Sequence, residues 1–438
     1  MDATAQGNDV LDYKAQVASF ALTGEVTLKL TDESLLIASL LDTVDIPYAE
    51  INELAFIDYE VIVLTDTDRF TFSKMGNWGQ PFYRELLAAY NKAVLKALFT
   101  TGAPLITSEG GYHYREEGVE ASGQAPIQVF ENCVCVLPPD LGARRVPLHF
   151  LTGLDKGDFA LTHRVDDDEY TFSKLGHETD PFEGAVIKQT KALREKTQAM
   201  IQEIDPTLSA SQATQLAKLM PGGAATSRAS IEAIAPSLIA AAEEGIAKSR
   251  SAEYYEALKE ISDPASMYIG FIKNEVDEAD AEQSALPIEL PAELGGMLGG
   301  LVSGVAGDVI ENLMGGDAEA EEISPYVFYV VAPSKDKSVC AVEFAVPESE
   351  SAATFVYRCD GGADAFAGRL NRAMEAVDYA RDVISMPEEK LGLPENRRYA
   401  MAVKRSPALA KVREGFLGRV IHSSLDTWKK NVEGYFIG

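Results

Sequence analysis

Lysine and arginine are in short supply in this chain. Its 438 residues carry 39 of them against 68 Asp and Glu, a formal net charge of −29. Such a surface favours solubility and repels bare phosphate backbones, so nucleic acid is not an expected partner, although a local basic patch is not excluded. Cysteine is scarcer still. Cys133, Cys135, Cys340 and Cys359 form no framework, and the first two, two apart in a strand-like run, would share a face rather than pair. They read as reduced thiols of an intracellular protein. Apolar runs of about 18 residues are missing, so no transmembrane segment is expected. The opening MDATAQGNDVLDYK lacks a positive n-region and an apolar h-region. No signal peptide is expected, and the cytoplasm is the expected compartment.

Motifs that carry chemistry are equally sparse. The five histidines (His113, His149, His163, His177, His422) and the cysteines show no C-x-x-C, H-E-x-x-H or H-x-H spacing. Phosphate-cradling glycine loops are absent. The one local concentration is His163, the Asp166-Asp167-Asp168-Glu169 turn and His177. It could hold a hard cation, but it lacks the spacing of an EF-hand loop and reads as a solvated hairpin tip. No catalytic residues, no metal and no cofactor are expected.

What the chain does contain is a repeat. Thr71-Phe72-Ser73-Lys74 recurs as Thr171-Phe172-Ser173-Lys174, each followed by a glycine (Gly76, Gly176) and Pro-Phe (Pro81-Phe82, Pro181-Phe182). At an offset of 100, Ile46–Phe82 aligns without gaps on Val146–Phe182, and 12 of the 37 pairs are identical, Pro47/Pro147 among them. That extent implies a duplicated unit. Within unit one VTLKL, SLLIA, IPYAEINELAF, YEVIVLT and RFTFSK alternate as strands. Phe82, Leu86, Tyr90, Val94 and Leu98 then recur every four residues, as in an amphipathic helix with Pro81 in its first turn. Unit two repeats the plan. Alternation puts Phe72 and Phe172 on the core face, and Ser73 and Ser173 have no aligned base to activate them. A weaker third copy is read from Tyr326 to Ala376.

This order of elements resembles the bacterial pleckstrin-homology-like and GRAM-type domains. The residues that carry the likeness are Ile46 to Ile51 with Asp68 to Phe72, and Arg144 to Leu151 with Asp168 to Phe172. It spans roughly residues 22–100 and 124–203, with the weaker copy near 324–386. The resemblance implies an α+β protein of tandem units, each a bent antiparallel sheet or partly open barrel closed by a C-terminal helix. Lipid-binding members collect cations on a basic first hairpin. The turns read as equivalent here, Thr31-Asp32-Glu33 and Glu131-Asn132, are acidic, so phosphoinositide binding there is not expected.

The expected organisation is a first unit (1–103), a second (104–203), a helical segment (204–280), an acidic Gly-rich linker (281–323), a degenerate third unit (324–390) and a basic amphipathic helical region (391–438). The helical segment is read as Glu183–Gln202, Ser209–Leu219, Ser227–Ser249 divided at Pro236, Ala252–Ile261 and Ala265–Ala279. Between Asn274 and Ser334 there are thirteen acids and no Lys or Arg. The uncharged stretch Leu294–Gly307 within it reads as linker or as a segment that inserts into a partner. From Arg397 to Lys430 nine bases face two acids, with Leu409, Val412, Phe416, Val420, Leu425 and Trp428 at roughly helical spacing. This region could dock on the acidic body, on a protein partner or on a membrane surface. Lys74, Lys174, Arg144, Arg145, Arg397, Arg398, Lys404, Arg405, Lys411, Arg413 and Arg419 are the candidate partner surface. The expected role is a non-enzymatic scaffold, adaptor or oligomer-forming protein. The alternatives are a peripheral membrane protein acting through the C-terminal helix and an enzyme with its site at a domain interface.

Overall fold

The computed structural model describes residues 12–273, 325–346 and 352–437, so the linker read at 281–323 lies outside the described residues. The chain is α+β, with several antiparallel sheets, one of them a half-barrel. Unit one comprises β1 (Tyr13–Ala18), β2 (Thr23–Leu30), β3 (Ser34–Ala38), β4 (Thr43–Pro47), β5 (Ile51–Ile57), β6 (Glu60–Thr65), β7 (Arg69–Ser73) and the helix α1 (Gly79–Ala97). Unit two repeats this with β8 (Ile106–Glu116), β9 (Val119–Val129), β10 (Cys133–Val136), β11 (Arg144–Pro147), β12 (Gly153–Gly157), β13 (Ala160–Val165), β14 (Asp168–Ser173) and α2 (Thr179–Ile204). The two sheets have the same topology, β4-β3-β2-β1-β7-β6-β5 and β11-β10-β9-β8-β14-β13-β12.

Sequence alternation missed β1 and β8, the strands that join the two halves of each sheet through β7 and β14. In consequence Thr31–Ser34 turns the second hairpin, not the first. The first hairpins turn at Ser19–Leu22 and Glu117–Gly118. IPYAEINELAF is also not one strand. A turn of 3₁₀ helix at Tyr48–Glu50 separates β4 from β5, which lie at opposite edges of the sheet.

Four of the five hairpins of unit one share one device. At Ser19, Thr31, Ser39 and Thr65 the hydroxyl accepts the N–H three residues on, at 2.9, 2.9, 2.9 and 3.0 Å. The TFSK repeat ends the last strand. Phe72 and Phe172 are buried. Lys74 (φ 59°) and Gly76 (φ 57°), like Lys174 (57°) and Gly176 (61°), then take the left-handed conformation that turns the chain into a 3₁₀ turn and the closing helix. For a lysine that conformation costs about 1–2 kcal/mol. Pro81 and Pro181 sit in the first helical turns, and Phe82 and Phe182 are fully buried. Pro47 and Pro147 end β4 and β11.

Residues 324–390 do not form a third copy. A third sheet, β15-β16-β17-β18-β19-β20, takes its strands from Thr226–Ser227, Tyr268–Lys273, Tyr326–Pro333, Val339–Phe344, Ala353–Arg358 and Phe416–Ile421. It therefore draws on the segments read as helical, third-unit and C-terminal alike. One face packs on α3 (Ala210–Leu219), α4 (Arg228–Ile234), α5 (Pro236–Ala247), α6 (Ala252–Ile261) and α12 (Leu425–Ile437). The other packs on α7 (Ala363–Ala376), α8 (Arg381–Ser385), α10 (Arg397–Arg405) and α11 (Pro407–Glu414), with α9 (Glu388–Leu391) beyond. Alternate residues of β17 serve the two layers: Phe328 and Val330 one, Tyr329 and Val331 the other. A strand buried on both faces shows no alternation, which is why β16 was read as part of a helix from Ala265. The basic C-terminal region is likewise not one helix but α10, α11, β20 and α12. Its four-residue spacing from Phe416 to Val420 belongs to a strand. Cys340 and Cys359 form a disulfide between β18 and the end of β19, not two free thiols. Cys133 and Cys135 are free and share a buried face, their sulfurs 3.8 Å apart.

Candidate functional site

The charged groups of this acidic chain gather where unit two meets α7 and α11. The turn of the first hairpin in unit two brings Glu117 (φ 48°) and Gly118 (φ 84°) to the end of the sheet. Arg369 and Arg372, three apart on α7, reach it from the helix layer of the third sheet. Arg369 Nε lies 3.0 Å and Arg372 Nη2 2.6 Å from the Glu117 carboxylate, and Lys411 Nζ on α11 lies 3.0 Å from it. Arg372 Nη1 also donates to Asp166 at 2.7 Å, and Asp168 accepts the Glu117 N–H at 2.8 Å. Burial opposes ionisation of Glu117. Lys411, Arg372 and Arg369 outweigh it and hold the carboxyl below its usual range. These residues line a cleft of about 710 Å³.

Behind Glu117, Glu116 is buried. Its carboxylate lies 3.0 Å from Arg144 Nε. Desolvation dominates over Arg144, and the Glu116 pKa is pushed up to about 7. Burial also raises Asp168. The acidic turn is thus a solvated tip only in part, at Asp166 and Asp167, which are exposed. Asp168 is buried, Asp166 is paired, and His163 lies in the core against Phe172 and Phe182, ring centroids 4.9 and 6.1 Å apart. Burial depresses its pKa to about 3.

A second joint lies deeper. Arg145 Nη2 and His149 Nδ1 contact the same Glu375 oxygen, at 3.3 and 3.2 Å, with Cys133 and Cys135 beneath. Burial would raise Glu375, but Arg145 and His149 outweigh it and hold the carboxyl low. A third joint is Arg405 on α10. It donates to Tyr90 Oη of α1 at 2.6 Å, and Tyr90 in turn donates to the carbonyl of Asp140 in unit two at 3.2 Å.

The structure therefore takes several residues out of the candidate partner surface. Arg144, Arg145, Arg405 and Arg413 are buried by ion pairs, carbonyls or an aromatic face, and Arg144 lies 4.7 Å from the Tyr114 ring centroid. Arg398 lies 3.6 Å from the Phe99 ring centroid, and Arg397, Lys404 and Lys411 pair with Glu50, Asp66 and Glu117. Lys74, Lys174 and Arg419 are exposed. Sequence reasoning missed Glu116, Glu117, Arg369, Arg372 and Glu375. Their available signal was slight: two arginines three apart on an amphipathic helix, and an acid beside a glycine turn.

Among the described residues no group of three or more His, Cys, Asp or Glu is placed to hold a metal ion, and no helix is long and apolar enough to cross a membrane. No protein-family model matches the chain, and no curated protein matches it either.

Proposed function

We propose that this chain is a non-enzymatic cytoplasmic scaffold or adaptor that works through protein contacts, built on two pleckstrin-homology-like units. The shared strand order and closing helix of the units support the fold assignment. One observation carries the functional reading: buried or half-buried ion pairs tie unit two to the third sheet, through Glu117 to Arg369 and Arg372 and through Arg145 to Glu375, and Arg405 ties unit one to it through Tyr90. Charged groups held this way favour rigidity over turnover, and a rigid body with exposed Lys74, Lys174 and Arg419 suits partner display. An enzyme sited at the joint draws support from Glu116, but that carboxyl is enclosed and paired with Arg144. Capture of the native protein from its own cells tests the scaffold. Wild type is expected to bring down stoichiometric partners that the K74E/K174E/R419E variant loses. Recovery of nothing beyond chaperones would refute it.

A further inference from the structure

The two units use the same end of their sheets differently. In unit two that end, formed by the β8–β9 and β13–β14 turns, is sealed against α7 by Glu117 and Asp166. In unit one no described residue seals the equivalent end. Both of its forward hairpins turn there, since β2 pairs with β1 through Ala18↔Thr23 and with β3 through Thr27↔Ala38. Their tips carry Phe20, Leu40 and Leu41, which are 97%, 96% and 88% exposed.

These tips are held rigidly. Asp68, at the position matching Asp168, accepts the N–H of Phe20 at 3.0 Å and of Ala21 at 2.9 Å. Leu22 and Asp42 donate their N–H groups to Ser19 and Ser39, both at 2.9 Å. Among the described residues, nothing covers these three large apolar side chains on ordered hairpins. Isolated exposed apolar residues are ordinary, but three at the tips of two neighbouring hairpins, at one end of one sheet, are more than that.

We propose that this end of unit one inserts into an uncharged lipid bilayer surface. The proposal goes beyond the scaffold reading and does not depend on it. Two arguments select the occupant. Three side chains of about 150–200 Å² each offer roughly 500 Å², less than the about 800 Å² per partner that a stable protein interface buries. A bilayer takes protruding side chains about 5–10 Å deep with no matching pocket, so the same area suffices for reversible binding. Charge then selects the lipid. At this end Glu25, Asp42 and Asp68 stand against the exposed bases Arg69 and Lys14, on a chain of net charge −29. An anionic leaflet is disfavoured and a zwitterionic one is not.

The test is flotation of the full chain with vesicles of phosphatidylcholine alone and with added phosphatidylserine. Wild type is expected to float with phosphatidylcholine, and F20S/L40S/L41S to lose on the order of a thousandfold in partition. Phosphatidylserine should weaken binding at low salt, and added salt should restore it. F20W should still bind, with a blue-shifted emission that reports burial of the new indole. All three positions lie outside the core, so the variants keep the fold, and unchanged circular dichroism checks it. Failure of wild type to float, undiminished binding by the triple variant, or stronger binding to phosphatidylserine at low salt each overturns the proposal. So does concentration-dependent self-association that the triple variant abolishes without any vesicle binding, which would make a second copy the occupant.

Discussion

Replacing Glu375 by glutamine probes how the second sheet is joined to the third. The Glu375 and Arg145 side chains are each 5% exposed and meet at 3.3 Å, with His149 at 3.2 Å on the same oxygen. E375Q preserves volume but leaves the guanidinium enclosed without a counter-charge, which costs about 3–5 kcal/mol. The pair itself is imperfect, because Arg145 Nε and Glu375 Oε2 have no hydrogen-bond partner among the described residues. Replacing both groups, as in R145M/E375L, should therefore return stability to within about 1 kcal/mol of wild type or raise it. The coupling between the two sites would then be on the order of 3 kcal/mol. A chain with several sheets does not unfold in one step, so the assay is native-state hydrogen exchange at the amides of α7 and β11. If E375Q changes their exchange by less than about fivefold, equivalent to about 1 kcal/mol, the buried-pair reasoning fails.

Glu116 should make stability depend on pH. Its folded pKa of about 7 lies above the ordinary 4.5, so its contribution is fully present below the ordinary value and is lost as pH rises through the folded one. The loss amounts to roughly 3 kcal/mol at most; E116Q should flatten it in pH-dependent urea melts, and an unchanged slope between about pH 5 and 8 would sink the assignment. Glu375 runs the other way: held low in the fold, it stabilises above the ordinary glutamate range, and that stability should fade in acid as pH drops through its lowered value. G270A should be severely destabilising, because a Cβ there would come within 2.5 Å of the Tyr329 ring and 2.7 Å of the Ala225 nitrogen. A cost of about 1–3 kcal/mol from overpacking is expected by chemical denaturation, and a neutral result would show that β16 and β17 can separate freely. D68N should speed exchange of the Phe20 and Ala21 amides while leaving the melting curve nearly unchanged, since their carboxylate acceptor is near the surface.

Where one face of an element meets water, the sequence was informative. The alternation of β7 and the four-residue period from Phe82 to Val94 located the last strand and the closing helix of each unit. The helices at 210–219 and 252–261 followed from the breakers around them, Pro206, the Pro221-Gly222-Gly223 turn and Pro264. β8 was hidden because its Gly110-Gly111 pair and charged residues break the apolar pattern. That pair is needed for close approach, since a Cβ on Gly110 would meet Leu175 and the Ser173 carbonyl at 2.7 and 2.8 Å. β16 and β20 were hidden for the opposite reason: short, mostly apolar runs fit helix and strand alike. The joints were the least legible. Arg145 and Glu375 lie 230 residues apart, and no local pattern tells a buried arginine from one that greets a partner.

One short strand has a consequence for how the protein is made. Val134 and Val136 of β10 pack into the core of unit two, whereas Cys133 and Cys135, with Leu137, Ala143 and the distant Met401, complete the core of unit one. Unit one thus leaves the ribosome unfinished. Its own helix ends at Ala97, and Met401 follows about 300 residues later, roughly 15–60 s at ordinary elongation rates. For that interval the nascent chain carries an open apolar surface, and the order of synthesis makes the oldest part of the protein one of the last to close.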